Sequence, residues 1–326
     1  MMADVRSWES TAYFLHELFK GLPNAATAPS ASDVSTSFHN YTCESQTCEG
    51  YLAYNASRCT STAKCPLVLV IQDWNGMNDY EQKRARMLAH EGYVSFAADI
   101  YGIDTPKETM SDWIAASSTH RRNASLYMGK INAAIVKAKT LDFVDTSKVA
   151  VIGYCFGGTG IVNMALLGED VLGVVGYHSG IAPANRVKRA SDTPPVKARI
   201  LLHSGVKDDK ATDMAILEEE FEAAGARYEI VRYGSGVVHS FTEPSANSPP
   251  NAMYNQRADV RSWESTQRFL KQVFMGQGAS DRAPECAGGD DEDEEKKSSV
   301  SSASWRSAAA WGAVGLASSA FLSTML

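Results

Sequence analysis

In Gly153-Tyr154-Cys155-Phe156-Gly157-Gly158 a thiol stands between glycines placed two residues to either side. An apolar run, residues 148–152, precedes this stretch and reads as a buried strand, and residues 159–168 follow it as a small-residue helix start. Strand, Gly-x-nucleophile-x-Gly, helix is the pattern of a nucleophile elbow. The chemistry needs those residue types. A strained turn lifts the nucleophile above the sheet edge, so its neighbours two positions away must lack bulk. The N–H groups and dipole of the following helix favour a thiolate and a developing oxyanion. Further along, Asp208 lies in the loop 205–209 that leaves the strand-like run 198–204, and Asp209 competes with it for the same role. His239 lies in 234–241, after the strand-like run 228–233. Nucleophile, acid, histidine is the chain order that an elbow-type hydrolase requires. His90 falls on a polar helix face, and His178 and His203 fall within or at the ends of strands, so they suit a base less well.

The elements that must position these residues are legible as alternating strand and helix patterns. Strands are expected over 67–72, 93–100, 148–152, 171–178, 198–204 and 228–233. Helices are expected over 80–91, 125–141, 156–168, 212–224 and 256–275. Such alternation predicts an α/β-hydrolase fold, a mostly parallel sheet with helices on both faces. The 326 residues, 44% of them hydrophobic, suffice for one such domain of about 240 residues with appendages.

From about residue 38 to residue 276 the sequence resembles the dienelactone hydrolase family. The matching segments are Leu69-Val70-Ile71-Gln72-Asp73-Trp74-Asn75-Gly76-Met77-Asn78, Gly92-Tyr93-Val94 leading to Ala98-Asp99-Ile100-Tyr101-Gly102, the elbow, the acid loop, and Gly236-Val237-Val238-His239-Ser240-Phe241. The resemblance implies a triad of Cys155 as nucleophile, His239 as base and Asp208 orienting the imidazole. It implies an oxyanion hole from the backbone N–H groups of Phe156 and Trp74. It also implies that Asp73, just after the first buried strand, contacts the resting thiol and helps activate it. Several family members carry Glu there, one methylene longer. Two positions depart from the bacterial muconate-pathway enzyme, which holds its substrate's carboxylate with two arginines: Ile103 and Glu243 stand in those places. An anion buried without a cationic partner is costly, so a neutral ester or lactone is the expected substrate. Lys107, Arg121 and Arg122 fall in the segment expected to cap the site and read as solvated surface cations.

Composition narrows the partners. Six acids and two lysines in 290–297 account for four of the seven net negative charges, and the remainder is near neutral, with no nucleic-acid footprint. Apart from the catalytic set, no Cys/His group has zinc spacing, and no cofactor motif occurs.

Ala3-Asp4-Val5-Arg6-Ser7-Trp8-Glu9-Ser10-Thr11 recurs unchanged as Ala258-Asp259-Val260-Arg261-Ser262-Trp263-Glu264-Ser265-Thr266, 255 residues later. At 256–275 this stretch reads as the closing amphipathic helix of the domain. Residues 1–21 are therefore expected to be the closing helix of a truncated upstream copy in a tandem array, with 22–37 as a linker. The domain then spans 38–276, an acidic, Ser-rich disordered segment spans 277–307, and an uncharged apolar tail spans 308–326.

Cys43, Cys48, Cys59 and Cys65 crowd the first strands, which suggests two disulfides, with three pairings open, and an oxidising compartment. Asn40, Asn55 and Asn123 head glycosylation sequons. A small-residue site near 298–302, a polar spacer and the apolar tail resemble a lipid-anchor signal, so membrane attachment at the cell surface is one expectation and a cytoplasmic enzyme the other. The N-terminus shows no signal peptide, with Asp4, Arg6 and Glu9 breaking any apolar run. Two functions follow: a cysteine-dependent hydrolase of small esters or lactones, or an idle scaffold of the same fold kept for binding.

Overall fold

The chain folds around an eight-stranded sheet, and the computed structural model describes residues 34–276. The strands are Val34–Cys43 (β1), Gln46–Asn55 (β2), Cys65–Ile71 (β3), Val94–Ala98 (β4), Val144–Tyr154 (β5), Gly173–Tyr177 (β6), Arg199–Gly205 (β7) and Arg227–Tyr233 (β8). Their order is β1-β2-β4-β3-β5-β6-β7-β8. The pairs β1/β2 and β2/β4 are antiparallel and the others parallel. Helices are Asp79–His90 (α1), Met110–Arg122 (α2), Ala124–Lys139 (α3), Phe156–Leu166 (α4), Ala211–Ala223 (α5) and Gln256–Met275 (α6).

The inner strands are buried along most of their length, with β5 buried from Val149 on, which is why their sequences carry continuous apolar runs. Alternate side chains enter opposite cores. Leu67, Leu69, Ile71, Val149 and Val151 join Ile131 of α3, Ile161 of α4 and Leu217 of α5. Val68, Val70, Ala150 and Ile152 join Leu88 of α1 and Leu270 of α6. Helices thus cover both faces, and this is the α/β-hydrolase fold.

At the N-terminal edge, Cys43–Cys48 clamps the β1/β2 hairpin, and Cys59–Cys65 ties the loop after β2 to the start of β3. Cys155 is the one free cysteine among the described residues. Two expectations need correction. Residues 34–37, read as linker, belong to β1, where Val34 pairs with Asn55. Asn55, read as a glycosylation site, is 1% exposed, and its side-chain oxygen accepts from the Ser57 N–H and hydroxyl. Asn40 and Asn123 are exposed. Residues 1–21, 22–33 and the segments after 276 lie outside the described residues, and so do the tandem-copy and tail expectations. Among the described residues no helix is long and apolar enough to cross a membrane, and no group of His, Cys, Asp and Glu could hold a metal.

The face that α6 buries is Ala258, Ser262, Thr266, Phe269, Leu270, Val273 and Phe274. Six of these seven recur unchanged 255 residues earlier, as Ala3, Ser7, Thr11, Phe14, Leu15 and Phe19, and Leu18 replaces Val273.

The disulfides close short loops, with sequence separations of 5 and 6. Each should contribute about 2 kcal/mol by restricting the unfolded chain. Peptide mapping without reductant should recover the pairs 43–48 and 59–65. Denaturant unfolding of a Cys43→Ser, Cys48→Ser variant should show a loss of about that size, with hydrolysis unchanged.

Candidate active site

Cys155 joins β5 to α4 with φ 48° and ψ −107°, a left-handed conformation that non-glycine residues rarely take. The glycines around it are a steric requirement. A Cβ on Gly153 would lie 2.2 Å from the Gly157 carbonyl oxygen, and one on Gly157 would lie 2.4 Å from that of Ile71. Those clashes are avoided only when strand and helix backbones meet without side chains. The Cys155 N–H donates to the Tyr177 carbonyl at 3.0 Å, and the Gly157 N–H donates to the Gln72 carbonyl at 3.0 Å, so β6 and β3 hold the turn from either side. The Phe156 N–H, first in α4, has no helical acceptor and no other among the described residues.

His239 and Asp208 arrive on loops that are zipped together. The Lys207 N–H donates to the Val237 carbonyl at 3.0 Å, and Gly205 leaves room for that carbonyl. The short hairpin of Asn247–Ser248 (β9) and Ala252–Met253 (β10) braces the other side of His239. The His239 N–H donates to the Asn251 carbonyl at 3.2 Å, and the Met253 N–H donates to the His239 carbonyl at 3.1 Å. The His239 Nδ1 then meets Asp208 Oδ1 at 2.8 Å. Asp209 turns away, and its Oδ2 accepts from the Ser204 hydroxyl at 2.7 Å. Among the other histidines, His203 is buried between Thr266 and Tyr233, and His178 is buried behind His239.

The Cys155 thiol borders both His239 and Asp73. Burial, and then the negative charge of Asp73, push the thiol pKa up, against the pull of His239. Burial alone would disfavour a charged His239. The charges of ionised Cys155 and of Asp208, with the hydrogen bond to Asp208, carry its pKa well above the ordinary value. Proton transfer from thiol to imidazole therefore creates an ion pair that Asp208 supports. Asp73 itself is raised, first by burial.

Two sequence expectations differ here. The Trp74 N–H is not free, because the Asp73 carboxylate folds back and accepts it through Oδ1. An aspartate is short enough to reach the N–H of the next residue. The loop carrying both is anchored by Glu81 of α1, which accepts from the Asp73 N–H at 3.1 Å and the Asn78 N–H at 2.9 Å. Arg121 is no simple surface cation. Its guanidinium lies over the Phe156 ring, 5.5 Å from the ring centre, its Nε is buried without a partner, and its charge favours the Cys155 thiolate. Ile103 is 47% exposed, and Glu243 is close enough to raise Asp73 further. Sequence reading missed a neighbour of the site, Trp113 of α2, whose ring meets Trp74 edge-on at 5.7 Å. Its signal was an aromatic in a segment of otherwise polar character.

Residues 43–274 match the dienelactone hydrolase family. The chain belongs to that family. A carboxymethylenebutenolidase of Pseudomonas sp. strain P51 is 29% identical over 65% of this chain and 88% of its own. An uncharacterised protein of Caenorhabditis elegans is 28% identical over 48% of this chain and 99% of its own. Among solved structures, the dienelactone hydrolase-like promiscuous phosphotriesterase P91 from metagenomic libraries superimposes with a TM-score of 0.68 at 26% identity, over 74% of this chain and 99% of its own. The chain is a dienelactone hydrolase-like enzyme.

The two adjacent acids separate by experiment. Asp208→Asn should lower kcat by about 10²-fold or more, as loss of support for a general base does, whereas Asp209→Asn should leave it within about threefold. Burial, then the charge of Asp208, push the Asp209 pKa from 3.8 up to about 7. A raised acid stabilises the fold fully below its unfolded pKa, and that stability is lost as pH rises through the folded one. Unfolding free energy should therefore fall between about pH 4 and 7 through Asp209, and Asp209→Asn should flatten that stretch.

Proposed function

We propose that the enzyme hydrolyses small, neutral carboxylic esters or lactones through Cys155, His239 and Asp208. The observation that carries this reading is the thiol on its strained elbow beside an imidazole bonded to Asp208 at 2.8 Å. His239 takes the thiol proton, and the thiolate attacks the carbonyl carbon. The Phe156 N–H receives the developing oxyanion. The Trp74 N–H joins it once the Asp73 carboxylate lets go, so Asp73 couples substrate arrival to the site's readiness. The tetrahedral intermediate collapses to a thioester as His239 protonates the leaving alkoxide. Water, deprotonated by His239, then releases the acid.

Neutrality rests on Ile103 and Glu243, which offer a carboxylate no cation at the two positions, while Arg121 lies over the Phe156 ring. The solved relative described as a phosphotriesterase supports it, since phosphotriesters are uncharged. An idle scaffold would leave Cys155 inert even toward a substrate, so acylation of Cys155 by a slowly hydrolysed aryl ester separates the two readings. The disulfides, with Asn40 and Asn123 exposed, support a secretory setting. The recurrence of six of the seven residues that α6 buries supports reading 1–21 as belonging to a further copy of the domain sequence. The intact mass of the polypeptide from its native cells tests that, since an array exceeds one domain.

Cys155→Ala should abolish turnover of aryl acetates and small lactones. Kinetics on matched substrates should give neutral esters the higher kcat/KM, by about tenfold or more over analogues bearing a carboxylate. A preference for the anionic member of each pair would overturn the neutral-substrate reading.

A further inference from the structure

A buried histidine that the reaction does not use lies against His239. His178, the residue after β6, is 0% exposed, and its ring stands 5.0 Å from the His239 ring at 68° between planes. Phe241 packs on it at 5.3 Å and 83°. Its φ of +37° is one that histidine seldom adopts, and its N–H donates to the His203 carbonyl at 2.8 Å. Strain of this kind persists where the surrounding structure holds a side chain to a task.

A chain of hydrogen bonds sets the state of this ring. The Arg84 Nε can only donate, and it does so to the Tyr80 hydroxyl oxygen at 3.2 Å. Tyr80 Oη in turn shares a hydrogen bond of 2.6 Å with Thr242 Oγ1, and Thr242 Oγ1 shares one of 2.8 Å with His178 Nε2. Nε2 is thus held by Thr242, and burial with the charges of His239 and Arg84 keeps the ring neutral. Asp259 of α6 holds the head of the chain, with Oδ1 2.5 Å from Arg84 Nη2, and Arg84 also donates to the Thr242 carbonyl at 3.0 Å. Nδ1 is buried without a partner, so the chain through Nε2 alone orients the imidazole. The titratable and charged groups facing His178 are His239 on its loop, Tyr80 and Arg84 of α1, and Tyr154 at the end of β5. Burial, His239 and Arg84 all act against its protonation.

We propose that His178 is a positioning residue: the Arg84–Tyr80–Thr242 chain locks the plane of its neutral ring, and the locked ring holds His239 turned toward Cys155. The inference rests on His239 acting as the base. A second imidazolium at 5.0 Å would oppose the charging of His239, whereas a neutral ring in a fixed plane supports the imidazole without that repulsion.

Thr242→Val removes the hydroxyl at nearly constant volume, and Thr242→Ser keeps it. Tyr80→Phe removes the hydroxyl that pairs with Thr242 while keeping the ring against Tyr154, so the test does not hang on one variant folding. Each is to be compared with the native chain in kcat, in KM, and in the pH profile of Cys155 alkylation by iodoacetamide. Thr242→Val and Tyr80→Phe should each lose about tenfold in kcat with KM nearly unchanged. The alkylation midpoint should move by about half a pH unit or more, and Thr242→Ser should behave as native. Folded Thr242→Val and Tyr80→Phe proteins with native kcat and a native alkylation profile would overturn the inference. If instead His239→Ala left the native alkylation profile unchanged, the assignment of the base itself would fail.

Discussion

The backbone of α4 begins in contact with the backbone that ends β3, and the site follows from that approach. A methyl group on Gly157 would sit 2.4 Å from the Ile71 carbonyl oxygen and 2.6 Å from that of Gln72. Without that closeness the Gly157 N–H could not reach Gln72, and the turn that holds Cys155 at φ 48° would have no anchor on β3. Because β3, β5, β6, β7 and β8 are parallel, their C-terminal ends share one edge of the sheet. β3 delivers Asp73 and Trp74 there, β5 delivers Cys155, and the loops after β7 and β8 deliver Asp208 and His239. Ligand sites of open parallel sheets gather at this edge for the same reason.

Four acids crowd this edge, and each is held by a different donor. Asp208 accepts from His239, Asp209 accepts from Ser204, Asp73 accepts from Trp74, and Glu81 accepts from two backbone N–H groups. Of these acids Asp73 acts on the thiol, and burial and then its charge raise the thiol pKa. Arg121 and His239 act in the opposite sense. The thiol is thus balanced between a carboxylate that quiets it and two cationic groups that favour its ionisation. A substrate that draws Asp73 away would shift that balance.

Much of this was legible in the sequence where local chemistry and fold agree. The inner strands read correctly because burial on both faces makes them unbroken apolar runs. The elbow read correctly because its glycines answer a steric demand confined to six residues. The β1/β2 hairpin did not, since residues such as Ser35, Thr36 and Ser37 lie at an exposed edge and carry no apolar pattern. α2 was missed for a related reason: it buries only Ala116, Ser117 and His120, and its start is set by a Thr109–Asp112 capping box rather than by an apolar face. The choice between Asp208 and Asp209 was open because adjacent residues in a loop differ only in direction, which tertiary contacts decide. The state of the Trp74 N–H was hidden for the same reason.

The account stands most directly on a covalent bond at Cys155. Rapid acid quench of the enzyme with a slowly hydrolysed aryl ester, followed by peptide mass spectrometry, should find the acyl group on the peptide bearing Cys155. The adduct should form with a burst of released phenol and vanish as the acid product accumulates. Turnover without any acyl-Cys155 adduct, or an adduct on another residue that is equally populated in Cys155→Ala, would contradict it.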